Sequence, residues 1–168
     1  GRPPTGLRSP CLPGNVEPRR VRGGFGRVLG RVGATRARLG GLAAGHADLV
    51  MAGRSHHVAA RAAALGERFA NAAEELMVAH RRLVDLLAAY PLRGIKGPVG
   101  TQQDMLDLFD GDADRVAELG RRVAAHLGFA GVLDSVGQVY PRSLDFDVVS
   151  ALVQAAGGPA NLARTIRL

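Results

Sequence analysis

Ala62 to Ala89 reads AAALGERFANAAEELMVAHRRLVDLLAA, and the periodicity of this stretch decides the class of fold. Leu65, Phe69, Ala72, Leu76, Leu83 and Leu87 recur at helical spacing, while Glu67, Arg68, Glu74, Glu75, Arg81 and Arg82 fall largely off that stripe. Such a pattern predicts one long amphipathic helix from about Ala62 to Ala89. A helix of this length is seldom covered by its own short chain, and bundles are the common way to bury such a stripe.

Downstream, Pro91, Gly94, Gly97, Pro98 and Gly100 break the pattern into an irregular segment. A short helix is predicted over Gln103 to Phe109. Asp112 is placed to cap the next helix, whose apolar face is Val116, Leu119, Val123 and Leu127, with Asp114 near its positive end. Gly128, Gly131 and Gly137 open a loop leading to Tyr140-Pro141-Arg142. Two further helices are predicted, Leu144 to Ala156 and Asn161 to Leu168, separated by Gly157, Gly158 and Pro159. Upstream, Gly1 to Pro18 reads as loop or disorder. Val21 to Leu42 carries a helical hint, but each of its many glycines costs about 1 kcal/mol relative to alanine. The expected class is all-α, with no clear strand: part of a long-helix bundle rather than a parallel α/β sheet. Two regions are expected, an Arg/Gly/Pro-rich segment over 1–46, largely disordered or weakly helical, and a helical region over 47–168.

Charge follows the same division. Residues 1–46 hold nine arginines against Glu17 alone, whereas 47–168 hold thirteen basic and fourteen acidic residues, so the net +7 of the 168-residue chain describes its first quarter. A balance this basic raises nucleic-acid binding as a hypothesis. Phe25 is the only aromatic residue of the basic segment, without the interleaved rings of a stacking surface, and nucleic acid is therefore disfavoured as a partner. The single cysteine, Cys11, cannot close an internal disulfide and fits a reducing, cytoplasmic compartment. No run has the length or apolarity of a membrane span, and the Pro-rich start has no signal-peptide core.

Three constellations carry chemistry. Arg54-Ser55-His56-His57 precedes the long helix; histidine exchanges protons near neutrality, and a neighbouring hydroxyl can orient it or bind a carboxylate. Surface capping, acid–base work and metal ligation are all compatible with a His pair. Metal is the least favoured of these, because no HExxH, Cys cluster or spaced carboxylate set accompanies it. His46, His80 and His126 read as surface or interhelical residues. The second constellation, Arg93-Gly-Ile-Lys-Gly-Pro-Val-Gly-Thr-Gln102, holds the only lysine, Lys96, among glycines that let backbone amides approach an anion, with Thr101 and Gln102 as neutral donors. A Gly-rich connection between helices is the plainer reading of the same residues. The third, Gly137-Gln-Val-Tyr-Pro-Arg142, ends in a guanidinium suited to a phosphate or carboxylate, or equally to a salt bridge anchoring the next helix.

MAGRSHH followed by AARAAALGERFA, then LRGIKGPVGTQQDMLDLFDGD, VGQVYPRSLDFDVVSAL and NLARTIRL, resemble in order the blocks of adenylosuccinate lyases in the fumarase/aspartase superfamily. RGIKGPVGT and GQVYPR are the distinctive ones. The resemblance implies a long-helix fold and β-elimination of fumarate, from adenylosuccinate to give AMP and from the succinylated carboxamide ribotide of purine synthesis. It implies that His56 acts as general acid or substrate-orienting partner and that Ser55 contacts substrate. It further implies that Gln102 holds substrate, that Lys96 and Thr101 share its loop, and that Arg142 lies near the substrate phosphate. No metal or organic cofactor is expected; the implied partners are a succinylated purine nucleotide and copies of the chain in a homotetramer whose sites are assembled from several subunits.

Departures accompany the match. Arg61, Ala63, Ala64 and Glu67 stand where family members commonly carry Gln, Thr, Thr and Lys, which removes two hydroxyls and introduces a bulky cation; Gly66 and Arg68 follow the pattern. The family's upstream histidine-bearing segment has no clean counterpart in 1–46, and its serine-bearing loop, which supplies the base, is expected to lie beyond Leu168. Partial out-of-frame reading of a GC-rich gene would turn an amphipathic helix into Arg, Gly, Pro and Ala, and residues 1 to about 46 are expected to be partly of that origin. The isolated chain is accordingly expected to be inactive. The competing reading is a non-catalytic helical oligomerisation module derived from the lyase scaffold.

Overall fold

A computed structural model describes residues 11–167, with side chains from residue 14 onward. The loop reading of Gly1 to Pro10, the thiol of Cys11 and the helix end at Leu168 lie outside the described residues. The elements run α1 (Cys11–Gly45), β1 (Val50–Ser55), β2 (Val58–Ala64), α2 (Leu65–Ala89), α3 (Gln103–Leu108), α4 (Ala113–Leu127) and α5 (Ser143–Arg167). The chain is predominantly helical, with one two-stranded antiparallel hairpin. Contacts divide it into two compact units, Gly1–Phe25 with Asp85–Val148 and Gly26–Val84 with Val149–Leu168.

The long helix is where its periodicity puts it. In α2, Gly66, Ala72, Leu76, Ala79 and Leu83 are buried, and the spacing of three and four residues from Ala72 onward keeps one face inward. Within the second unit that face meets α5. A Cβ on Gly158 would lie 3.2 Å from Leu76 Cγ and 3.3 Å from the Ala72 carbonyl, so the glycine permits the close approach. Arg82 reaches Ser150 Oγ at 2.6 Å and Gln154 Oε1 at 3.1 Å, and Asn161 Nδ2 donates to both oxygens of Glu75 at 3.0 Å.

The structure corrects three readings. Helix α1 is continuous from Cys11, through Pro18, where a loop is expected. Burial accompanies the difference: Gly14 and Pro18 are buried at helical spacing, and the stripe continues through Phe25, Val32 and Leu39, which are 3%, 8% and 6% exposed. Asn15 adds a two-way bond to Gly94, 3.0 Å in each direction, within the first unit. Helix α5 is likewise continuous through Gly157-Gly158-Pro159, where two helices are expected. Proline disfavours helical geometry in the preceding residue partly by clashing with its Cβ, and here that residue is glycine. Thirdly, Val50–Ala64 forms a hairpin where no strand is apparent from sequence, so α2 starts at Leu65.

The first unit has its own core of Tyr90, Leu92, Ala124 and Phe129, surrounded by residues that include Val21, Leu86, Val132, Leu144 and Val148. Arg22 stacks over the Phe129 ring, 5.3 Å from its centroid, and donates to the Leu127 carbonyl at 3.3 Å. Helix α4 is capped as expected. The Asp112 carboxylate accepts from Arg115 N at 3.0 Å, and Gly128 ends the helix in the left-handed region at φ 75°.

Candidate functional site

The hairpin aims the histidines. Ser55 pairs with Val58, leaving His56 and His57 as a two-residue loop with φ values of 49° and 64°. Two consecutive positive φ values are what a type I′ turn needs, a place usually taken by Asn-Gly. A register shift between Gly53 and Arg54 marks a bulge next to this turn. The loop is secured locally: Arg54 Nη1 donates to the His57 carbonyl at 3.2 Å, Arg68 Nη2 donates to the Ala52 carbonyl at 3.4 Å, and Leu65 N donates to the Leu49 carbonyl at 2.8 Å.

Behind the turn lies a cavity of about 680 Å³ within the second unit. Arg54, His56, His57 and Arg68 form its polar side, and Met51 and Leu65 continue the wall. Leu162, Thr165 and Ile166, from the last turns of α5, close it opposite. None of these residues is acidic. Ser55 is exposed beside the turn and is not part of the wall.

Lys96, Thr101, Gln102 and Arg142 belong to the first unit. Arg93, fully buried at 0% exposure, organises their loops. Its guanidinium donates to the carbonyls of Lys96 at 2.7 Å, Gly97 at 3.1 Å and Gly137 at 2.7 Å, so one side chain fastens the RGIKGPVGT loop to the start of GQVYPR. A Cβ on Gly14 would come within 2.8 Å of Arg93 Cδ, and the absence of that side chain leaves the arginine its place. Lys96 is buried, with Nζ donating to the Asp134 carbonyl. Gln102 Nε2 donates to the Ile95 carbonyl at 3.3 Å, and the Thr101 carbonyl accepts from Gly97 N at 2.7 Å. Lys96 and Gln102 share the lining of a second cavity, about 300 Å³, with Arg121 and Asp134.

Arg142 is engaged on the surface. Its Nη1 lies 3.0 Å from Asp145 Oδ2, its guanidinium sits 5.2 Å from the Tyr140 ring centroid, and the Tyr140 hydroxyl donates to Asp145 Oδ1 at 2.9 Å. Burial, followed by the Asp145 hydrogen bond, raises the Tyr140 pKa strongly, because a phenolate would be desolvated and would face a carboxylate. A phosphate reaching Arg142 has to compete with Asp145.

Sequence reasoning assigned no role to Arg54, Arg68 or Thr165, which share the cavity with His56. Arg68 belongs to the AARAAALGERFA block, and its helical position in the turn after Leu65 is a usable signal. Nothing local connects Thr165 with a turn more than a hundred residues earlier. Arg93 heads the RGIKGPVGT loop in the sequence, but burial alone reveals its function as a fastener. Among the described residues, no group of three or more His, Cys, Asp or Glu is arranged to hold a metal ion, and no helix is long and apolar enough to cross a membrane.

A predominantly helical chain with a histidine-tipped hairpin before its long amphipathic helix has the character of the helical part of a fumarase/aspartase-type lyase. Sequence comparison narrows the class: the chain is related to the adenylosuccinate lyases. It is 37% identical to the adenylosuccinate lyase of Saccharomyces cerevisiae over 131 residues, 78% of this chain and 27% of that enzyme. It is 35% identical to that of Schizosaccharomyces pombe over 121 residues, 72% of this chain and 25% of the relative. Similarity to the Caenorhabditis briggsae adenylosuccinate lyase, 29% identical, covers 97% of the chain and so includes most of residues 1–46. The chain spans about a quarter to a third of the length of these relatives. No family model matches it.

Proposed function

We propose that this chain is a segment of an adenylosuccinate lyase that eliminates fumarate from adenylosuccinate, giving AMP, and from succinylaminoimidazole-carboxamide ribotide. The observation that carries the reading is the 37% identity over 131 residues to a curated adenylosuccinate lyase, which includes blocks bearing the candidate residues. In the reaction a base takes the proton beside one carboxylate, the carbon–nitrogen bond breaks, and the nitrogen leaves with a proton from an acid. His56 is the acid or substrate-orienting group, Ser55 contacts substrate, and Gln102 holds it with Lys96 and Thr101 in its loop. Arg142 faces the phosphate once its pairing with Asp145 opens. The base comes from a part of the enzyme that the matched blocks do not include.

The reading carries with it a cytoplasmic location and a homotetramer whose sites draw on several subunits, which suits a chain whose candidate residues divide between two units. No metal or organic cofactor takes part. Adenylosuccinate cleavage, followed by absorbance, tests it on the chain alone and mixed with a family enzyme whose corresponding histidine is inactivated. The expected outcome is no turnover alone and restored turnover in the mixture. A mixture that stays inactive although the two proteins co-assemble would refute the assignment of His56.

A second reading, a non-catalytic helical module, is favoured by Arg61, Ala63 and Ala64 in place of polar family residues, and by Phe146 and Val153 standing 71% and 67% exposed on α5. It predicts co-assembly with the family enzyme and no restored activity.

A further inference from the structure

We propose that the exposed face of α1 within the second unit is a docking surface for duplex nucleic acid, gripping its phosphate backbone through Arg27, Arg31 and Arg38. A loop or weak helix would scatter these charges; the continuous helix aligns them. At 3.6 residues per turn, their spacing of four and then seven residues places the three side chains within roughly 40° of one another, along a line about 17 Å long. All three are exposed, and α2 packs on the far side of the helix, where Arg36 Nη1 meets Met77 Sδ at 3.5 Å. From Gly26 to Gly45 α1 carries no acidic residue, and among the described residues none of the three arginines stands in an ion pair.

What flanks the arginines selects the partner. Gly30, Ala34 and Gly41 are exposed beside them, and a Cβ on Gly30 or Gly41 would meet nothing within 4 Å. A face of guanidinium groups separated by small residues has no apolar side chain to insert into a bilayer, as a membrane-surface helix needs. It has no ring for stacking on single-stranded bases and no amide or carboxylate to read base edges. Phosphate contact needs neither, since guanidinium forks match phosphate oxygens. A duplex also presents charge at the required density: about one phosphate per 1.7 Å of axis puts roughly ten within reach of the line. Those phosphates are held rigidly, whereas an acidic peptide has to be ordered before it can follow the same line.

Fluorescence anisotropy of a short mixed-sequence DNA duplex, titrated with the 168-residue chain over a range of salt concentrations, tests the proposal. Saturable binding is expected, equal for a duplex of scrambled sequence. Replacing Arg27, Arg31 and Arg38 together by alanine should reduce the slope of log affinity against log salt by about 2.7, and each single replacement by about 0.9. Alanine favours helix, so α1 should persist in these variants, which far-UV circular dichroism checks. The triple lysine variant should keep the full slope, because an ammonium group also neutralises a phosphate. Combined Arg61→Ala, Arg81→Ala and Arg164→Ala removes the same charge from exposed positions elsewhere in the second unit and should leave the slope unchanged. No binding at low salt, or a slope that the triple alanine variant retains, would overturn the proposal. Tighter binding of polyglutamate or of phosphatidylserine vesicles through the same three arginines would also overturn it, and would assign the face to an acidic peptide or to a membrane surface.

Discussion

Tyr140 shows how one side chain ties loop chemistry to stability. Its ring is 6% exposed, its hydroxyl donates to Asp145, and its pKa stands well above the ordinary 10.0, first through burial and then through that hydrogen bond. Tyr90 is shifted in the same direction by burial and by the charges of Asp145, Glu17 and Asp147. A raised folded-state pKa means that the folded chain holds its proton more tightly than the unfolded chain. The contribution is complete below about pH 10 and is lost as pH rises toward the folded value, because the unfolded chain ionises first. Folding stability should therefore fall as pH rises above about 10, and the phenolate absorbance of the native protein should lag behind that of the urea-unfolded chain. Tyr140→Phe should flatten the alkaline slope; an unchanged slope would show that Tyr140 does not couple to folding. These shifts are invisible in the string GQVYPR, since they depend on what covers the ring.

At the scale of elements, capping was legible and the hairpin was not. Asp112 precedes the apolar period of α4 and accepts from Arg115 N at 3.0 Å, the bond expected of an N-cap. Asp112→Ala should lower stability by about 1 kcal/mol, measured from urea midpoints. The additional Asp112–Arg115 ion pair, at 3.2 Å between exposed groups, adds little. A result below a few tenths of a kcal/mol would mean that α4 takes its stability from packing alone. The hairpin lacks the usual strand signature: VAARAAA is built largely of alanine, a strong helix former, and His-His replaces Asn-Gly at the turn. Its anchors, at Leu49, His46 and Ala52, come from α2 donors that sequence periodicity does not reveal.

For the chain as a whole, two of the largest fully buried side chains lie on α2. Leu83 is 0% exposed and Leu76 is 1% exposed, so truncation at either position opens a cavity in a chain of modest size. Leu83→Ala should cost about 3 kcal/mol and cause a clear fall in the urea midpoint. A loss below about 1 kcal/mol would mean that the second unit collapses around the gap. Relatives are about three times as long as this chain, and Phe146, Val149 and Val153 are 71%, 56% and 67% exposed along α5.

The amino-acid sequence by itself determined the helical class, the course of α2, α3 and α4, and the family blocks, because these follow from local periodicity, capping and short motifs. It also singled out His56 and the Lys96–Gln102 loop as candidates. Only the tertiary structure decided that Cys11–Gly45 and Ser143–Arg167 are unbroken helices, since buried faces there offset the cost of glycine and proline. It alone decided that Ala-rich sequence turns back as a hairpin, that Arg93 is a buried fastener, and that Arg54, Arg68 and Thr165 share one cavity with His56. In each case the deciding contact joins residues distant in the chain, and its energy appears only when both partners are in place.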